Sequence, residues 1–245
     1  MTRTKQLPAT QWKLKEAGNK DIEDSLSKEF GIYPIISQIL ANRKILDMEG
    51  ARRYLYPSLN DLHSPFLMQD MKKGICRLLS AIHNQEEIVI YGDYDADGIT
   101  SVAILYKFIK EITPHVTYYI PDRVQEGYGL KNPVIDKFKG NNVKLIITVD
   151  CGISDVEQIA YAHSIGIDTI VLDHHEISDT LPAAVAAINP NREDCQFPFK
   201  ELAGVGIAYN FLIALRGSLR KEGFCKNKRI HFFYIRDIAD FFENF

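Results

Sequence analysis

Three short runs hold the residues that could do chemistry. The first is Gly92-Asp-Tyr-Asp-Ala-Asp-Gly98, which spaces Asp93, Asp95 and Asp97 two residues apart. The second is Asp150-Cys151-Gly152, and the third is Asp173-His174-His175. Three aspartates at this spacing have little structural purpose, because like charges close together destabilise one another. A carboxylate cluster of this size cannot remain ionised without counter-charge, and two divalent cations would supply it. Imidazole among the donors favours a transition metal such as Mn²⁺ over Mg²⁺, which stays the alternative. Two such ions sharing a water make hydroxide near neutral pH and clamp an in-line displacement at phosphorus. The chemistry indicated is hydrolysis of a phosphoester or phosphoanhydride.

These runs must be brought together by the elements that carry them. Each follows a short apolar, β-branched segment: EIVIYGD, KLIITVD and DTIVLDHH. Two more segments, HVTYYI and AVAAIN, read as strands. Between them lie helical periodicities in ITSVAILYKFIKEI, NPVIDKFKG, SDVEQIAYAHSIG and LAGVGIAYNFLIALRG. Ser154 and Glu157 have the spacing of a capping box. Strands apolar on both faces and alternating with helices predict an α/β fold, a parallel sheet flanked by helices. In such sheets, sites form beyond the carboxyl ends of the strands, so all three runs should meet at one edge.

Each residue taken singly has a plainer reading. Asp97 alone is an N-cap for the helix that follows, Asp150 alone a turn residue, and His174-His175 a solvated pair. Their coincidence at one sheet edge is what argues for a metal site.

Ahead of the α/β region, residues 1–85 read as an N-terminal helical arm, with helices in Asp21–Phe30, from Pro34, in DMEGARRYLY and in LMQDMKKGICRLLSAIHN. Residues 86–245 form the predicted catalytic α/β domain.

The 245 residues are 46% hydrophobic and 25% charged, which excludes a disordered chain. No apolar run approaches the roughly 20 residues of a membrane span, and the N-terminus is too polar for a signal peptide. A cytoplasmic protein is expected. Four scattered cysteines suit a reducing compartment. Cys151 reads as a small buried residue and not a nucleophile. A net charge of −3 argues against a wholly basic nucleic-acid coat and leaves a local basic surface open.

The three runs resemble the motifs of the DHH phosphoesterase superfamily, whose name comes from the third. Within it the chain is similar to the RecJ-type single-stranded-DNA-specific exonucleases. YLYPSLNDLHSPFLMQDM, YYIPDRVQEGYGL and INPNREDCQFPFKELAGVGIAYN share the likeness, which runs from about residue 7 to about 217. Small-substrate phosphatases of this fold usually carry a histidine where Tyr91 stands here. The resemblance implies a metal-dependent 5′-to-3′ exonuclease of recombination and repair, acting on single-stranded DNA. On that reading Asp93, Asp95, Asp97, Asp150 and His174 bind two metal ions, Asp173 supports the site, and His175 sits by the scissile phosphate.

The resemblance also implies a fourth motif, whose Asp completes the metal shell. Asp240, after Ile238-Ala239, fits its end, although Arg236-Asp237 replace the expected Gly-Thr. No counterpart of the family's glycine-rich second domain and oligonucleotide-binding fold is expected. The chain is therefore expected to be a C-terminally truncated monomer whose activity is impaired and depends on a missing domain. A non-catalytic metal-binding remnant and a small-substrate phosphoesterase are the competing expectations. The basic stretch 216–236 reads as a solvated surface or as a phosphate contact. Arg123 is the candidate phosphate contact, and Tyr128 the best candidate for stacking on bases, ahead of Tyr118 and Tyr119.

Overall fold

The computed structural model describes residues 19–178 and 180–223. The chain divides into two units, Met1–Leu62 and His63–Phe245.

The described residues of the first unit hold three α-helices, α1 (Lys20–Phe30), α2 (Pro34–Asn42) and α3 (Met48–Leu55). Local chemistry sets their ends. Asn19 accepts the Asp21 amide at 3.0 Å, Gly31 closes α1 in a left-handed turn, Pro34 opens α2, and Asp47 accepts the Gly50 amide at 2.7 Å. Leu26, Leu40 and Ala51 form a small buried core. Arg52 bridges Glu49 and Asp61 at its surface.

The second unit begins with α4 (Met71–His83), then runs β1 (Glu87–Gly92), α5 (Ala96–Lys110), β2 (Val116–Tyr119), α6 (Asn132–Gly140), β3 (Val143–Val149), α7 (Val156–Ser164), β4 (Asp168–Leu172), β5 (Ala186–Ile188) and α8 (Gly204–Lys221). The break between units thus falls at residue 62 and not at 85. Met71, Ile75, Leu78 and Ile82 of α4 are buried in the same core as Phe211 and Leu215 of α8, which makes α4 part of the α/β layer and not of the arm.

All five strands are parallel, in the order β2-β1-β3-β4-β5. Side chains alternate across the sheet. Ile88, Ile90, Leu145, Ile147, Ile170 and Leu172 meet α4, α5 and α8 on one face. Val89, Tyr91, Ile146 and Val171 meet α6 and α7 on the other. Burial on both faces is why these strands read as unbroken apolar runs.

The order also determines where a cleft opens. From β1 the chain leaves for the sheet edge through β2, then returns on the opposite side of β1 as β3. The strand ends on either side of that reversal cannot both be roofed by connections, so a crevice forms there. The run with Asp93 leaves β1, and Asp150 leaves β3. Among the described residues, no helix is long and apolar enough to cross a membrane.

Candidate metal centre

The first run is shaped by the start of α5. Asp95 is the cap of that helix: its Oδ1 accepts the amides of Asp97 at 2.9 Å and Gly98 at 3.0 Å. These bonds, chiefly the one from Gly98, hold its carboxyl below the usual range. The capping part read for Asp97 thus belongs to Asp95. The turn is tight enough to require glycine at 98, where a Cβ would lie 2.4 Å from the Asp93 carbonyl oxygen. Asp93 is buried, its Oδ1 accepts no hydrogen bond among the described residues, and burial pushes its carboxyl up.

Asp150 continues β3 by donating its amide to Leu172 O at 3.0 Å, then turns in the left-handed region at φ 58°. Aspartate tolerates that conformation better than most residues, and non-glycine residues held there concentrate at functional sites. Its side chain is 2% exposed, and Oδ1 accepts no hydrogen bond of good geometry. Burial, then the charges of Asp97 and Asp95, push its carboxyl up to about 8. Cys151 beside it is wholly buried, with its thiol pushed well up, which leaves no nucleophile there.

Asp173 extends β4 and is fully buried. Its Oδ2 accepts the Ile153 amide at 2.9 Å. Its Oδ1 accepts the amides of His174 at 2.7 Å and His175 at 3.1 Å and lies 2.7 Å from His175 Nδ1. That partnership, foremost the side-chain bond, raises the His175 imidazole to about 9. The other ring nitrogen is the one left for chemistry.

The three runs meet. Donor atoms of Asp93, Asp95 and Asp150 lie within 4.8 Å of one another, and so do those of Asp150, His174 and His175. His174 Nε2 is 3.1 Å from Asp150 Oδ1 and 3.7 Å from Asp97 Oδ2. Asp97 belongs to neither set. Two buried carboxylate oxygens that accept no hydrogen bond, on Asp93 and Asp150, are costly without a cation beside them. Carboxylate oxygens suit Mn²⁺ or Mg²⁺, and an imidazole among them favours Mn²⁺.

Tyr128 and Arg123 lie on the loop over this edge. The Tyr128 hydroxyl is 3.3 Å from Asp150 O and 3.3 Å from His175 Nδ1. The exposed Arg123 guanidinium sits 5.4 Å above the Tyr94 ring. Tyr119 instead stacks on Tyr91 within the core, and Tyr118 packs edge-on against Tyr106. Asp240 and most of the basic stretch 216–236 lie outside the described residues.

Several positioning residues went unnoticed in the sequence. Buried Asn189 donates to His175 O at 2.9 Å, and Asn191 donates to His174 O at 2.6 Å. The Tyr91 hydroxyl donates to Gly129 O at 2.9 Å, and Asp155 accepts the Leu130 amide at 2.9 Å. Together these fasten the turn that carries Tyr128. The only signal was polar residues at strand ends, which does not say what they reach. Asp155 is also the residue before α7; the helix has no side-chain cap, so Ser154 and Glu157 do not form the expected box.

A protein-family model described as the DHH family, N-terminal domain, matches residues 87–239. The single-stranded-DNA-specific exonuclease RecJ of Bacillus subtilis is 40% identical over 204 residues, which is 83% of this chain and 26% of that protein. The RecJ of Escherichia coli is 33% identical over 222 residues, 90% of this chain and 38% of that protein. The chain therefore spans about a quarter to two-fifths of the length of these curated relatives. Among solved structures, an exonuclease RecJ bound to manganese superposes with a TM-score of 0.57 at 30% identity, covering 62% of this chain and 38% of that one. The Thermus thermophilus RecJ in complex with Mn²⁺ superposes at 0.66 and 22% identity, over 84% of this chain and 28% of that one, which bears on the fold. The match spans the sheet and all three acidic runs, and on that evidence the chain belongs to the DHH family.

Proposed function

We propose that this chain carries the metal-binding part of a phosphodiesterase that removes mononucleotides from single-stranded DNA in the 5′-to-3′ direction. The observation that carries the metal reading is the place of Asp150 in both donor sets. A carboxylate shared by two sets is the arrangement a pair of ions needs to stand close together. The substrate reading rests on the curated relatives, which are exonucleases specific for single-stranded DNA.

Asp93, Asp95, Asp97, Asp150 and His174 hold the ions, Mn²⁺ or Mg²⁺; Asp97 Oδ2 lies 3.7 Å from His174 Nε2. Bound there, the ions would supply charge neutralisation and an activated water for in-line displacement at phosphorus. Asp173 holds Nδ1 of His175, which fixes the ring and favours its protonated form. A protonated His175 beside the scissile phosphate offsets charge as it develops on the phosphoryl oxygens. Arg123 contacts a backbone phosphate, and Tyr128 offers a ring to a base. Asp240 supplies the fourth-motif carboxylate. The protein works as a cytoplasmic monomer.

The test is digestion of single-stranded oligonucleotides labelled at either end, with Mn²⁺ and with EDTA, beside pyrophosphate and dinucleotides. Release of mononucleotides from the 5′ end, abolished by EDTA and by Asp150→Asn, is the expected result. Hydrolysis of pyrophosphate or dinucleotides alone would move the assignment to a small-substrate phosphoesterase. Mn²⁺ binding with no hydrolysis would move it to a non-catalytic metal protein.

A further inference from the structure

Arg192 is a charged side chain inside the protein, 8% exposed, in the loop between β5 and α8. A guanidinium out of water is costly unless acceptors meet its donors and an acid meets its charge. Here both are met, from two directions. Nε and Nη2 form a fork with Asp194, at 2.8 Å to Oδ1 and 2.7 Å to Oδ2. Nη1 donates to Asp70 Oδ2 at 2.8 Å and to Ala187 O at 2.6 Å. Asp70 stands 122 positions earlier in the chain, directly before α4.

Asp70 is shaped for that contact. It occupies the N-cap position of α4 but caps nothing with its side chain, and its backbone is left-handed at φ 62°. A non-glycine residue held there carries strain, and the missing cap forgoes a stabilising bond. Its carboxylate instead reaches Arg192, with Lys73 Nζ on the other oxygen at 2.7 Å. The Ala187 amide donates to Asp70 Oδ2 at 3.4 Å. Asp70 and Arg192 thus take the amide and the carbonyl of Ala187 on β5, an edge strand of the sheet.

The turn that Arg192 closes is the one that supports the third acidic run. Arg192 N–H donates to Asn189 O at 3.3 Å. Asn189 in turn donates to His175 O and accepts the Asn191 amide, and Asn191 donates to His174 O. We propose that Arg192 is a positioning residue for the metal edge: paired with Asp70, it holds the turn 189–194 against the sheet, and through Asn189 and Asn191 it sets where the His174-His175 backbone stands. The role rests on the metal reading only for the Mn²⁺ measurement below. A pair that did no more than close the edge of β5 would affect stability and leave the third run alone.

The experiment uses the whole chain, well below its melting temperature. Arg192→Met keeps an apolar stem and removes every donor. In EDTA, hydrogen exchange of the His174 and His175 amides, read by NMR, should quicken about tenfold or more in this variant. The Leu130 amide, held by Asp155 on another turn at the same edge, is the reference and should not change. Mn²⁺ affinity, read from the paramagnetic resonance of free Mn²⁺, should fall about 10- to 100-fold. Asn189→Ala together with Asn191→Ala should cost a similar factor. Because Arg192 acts through these two side chains, joining all three substitutions should cost no more than about threefold beyond the larger loss, whereas independent sites would multiply. Arg192→Lys keeps the charge but cannot make the fork. It should fall between wild type and Arg192→Met, and it carries the test should Arg192→Met fail to fold.

Unchanged exchange at His174 and His175 overturns the proposal. So does exchange quickened equally at Leu130, which would mark a general loosening. Wild-type Mn²⁺ affinity in Arg192→Met, or losses that multiply, overturn it too. A wild-type chain that bound no Mn²⁺ would sink the proposed function, while the exchange measurement would still decide whether Arg192 holds the turn.

Discussion

Asp173 and His175 are joined by a 2.7 Å hydrogen bond from Nδ1 to a carboxylate that also accepts three backbone amides. One buried side chain therefore fixes both the histidine ring and the backbone on either side of it. Asp173→Asn puts an amide group where acceptors are needed. It should lower the His175 pKa from about 9 toward its ordinary 6.5, read by an NMR titration of the ring. A histidine whose pKa is raised by folding stabilises the fold fully below its unfolded value and loses that contribution as pH rises through the folded one. The variant's stability deficit, on the order of 1–3 kcal/mol, should be largest near pH 6 and shrink above about pH 9. A His175 pKa that stays near 9 in the variant would refute the assignment.

Asp150→Asn should make the metal-free protein more stable while removing its affinity for Mn²⁺. The carboxyl is pushed up to about 8 by burial and by its acidic neighbours, so in the apo protein it is a strained charge. Its contribution to stability is present below the ordinary value of 3.8 and is lost as pH rises through about 8. The gain in melting temperature on substitution should therefore grow from about pH 5 to about pH 8.5. Asparagine accepts the left-handed backbone at φ 58°, so the substitution adds no strain there. A less stable variant in EDTA at about pH 8.5 would contradict this account.

Stabilisation by Mn²⁺ should itself depend on pH. Binding to Asp150 displaces the proton that its raised pKa retains, so affinity falls as pH drops below about 8. At a hundredfold excess over the dissociation constant, Mn²⁺ should add about 2.7 kcal/mol, and EDTA should reverse it. Thermal melts at fixed Mn²⁺ between about pH 6 and pH 8.5 check the slope. A shift equal at both ends would mean that Asp150 is not a ligand.

Asn189→Ala should loosen the third run without touching a donor atom. Asn189 holds His175 O and also accepts the Asn191 amide at 2.8 Å. The loss should cost about 1–3 kcal/mol and lower Mn²⁺ affinity roughly tenfold. Unfolding curves and Mn²⁺ titrations measure the two effects. Affinity equal to wild type would show that Asp173 and Asn191 hold the His174-His175 backbone without Asn189.

Arg123→Ala should weaken binding of single-stranded DNA of any sequence and reduce the salt dependence of log K by close to one phosphate contact, about 0.7. Mn²⁺ affinity should not fall, because Arg123 is exposed and outside both donor sets, and its positive charge near Asp93 opposes a cation there. Fluorescence anisotropy at several salt concentrations gives the slope. An unchanged slope would leave Arg123 with only its contact to Tyr94.

The five strands and eight α-helices of the described residues were legible in the sequence because the signals behind them are local. Apolar runs such as KLIITV must be buried on both faces, and helical periodicity in segments such as AILYKFIK needs only its own neighbours. The three acidic runs were legible for the same reason, since each follows its strand directly. Tertiary structure decided what these residues do to one another. Strand order placed β1, β3 and β4 side by side and left β2 outside, which is a long-range pairing that no local pattern encodes. Hydrogen bonds across the fold gave Asp97 to the first amides of α8 and Asp155 to the turn before Leu130. A short carboxylate can take any amide that packing brings within reach. Its residue type announces an acceptor, and only the folded chain selects the donor.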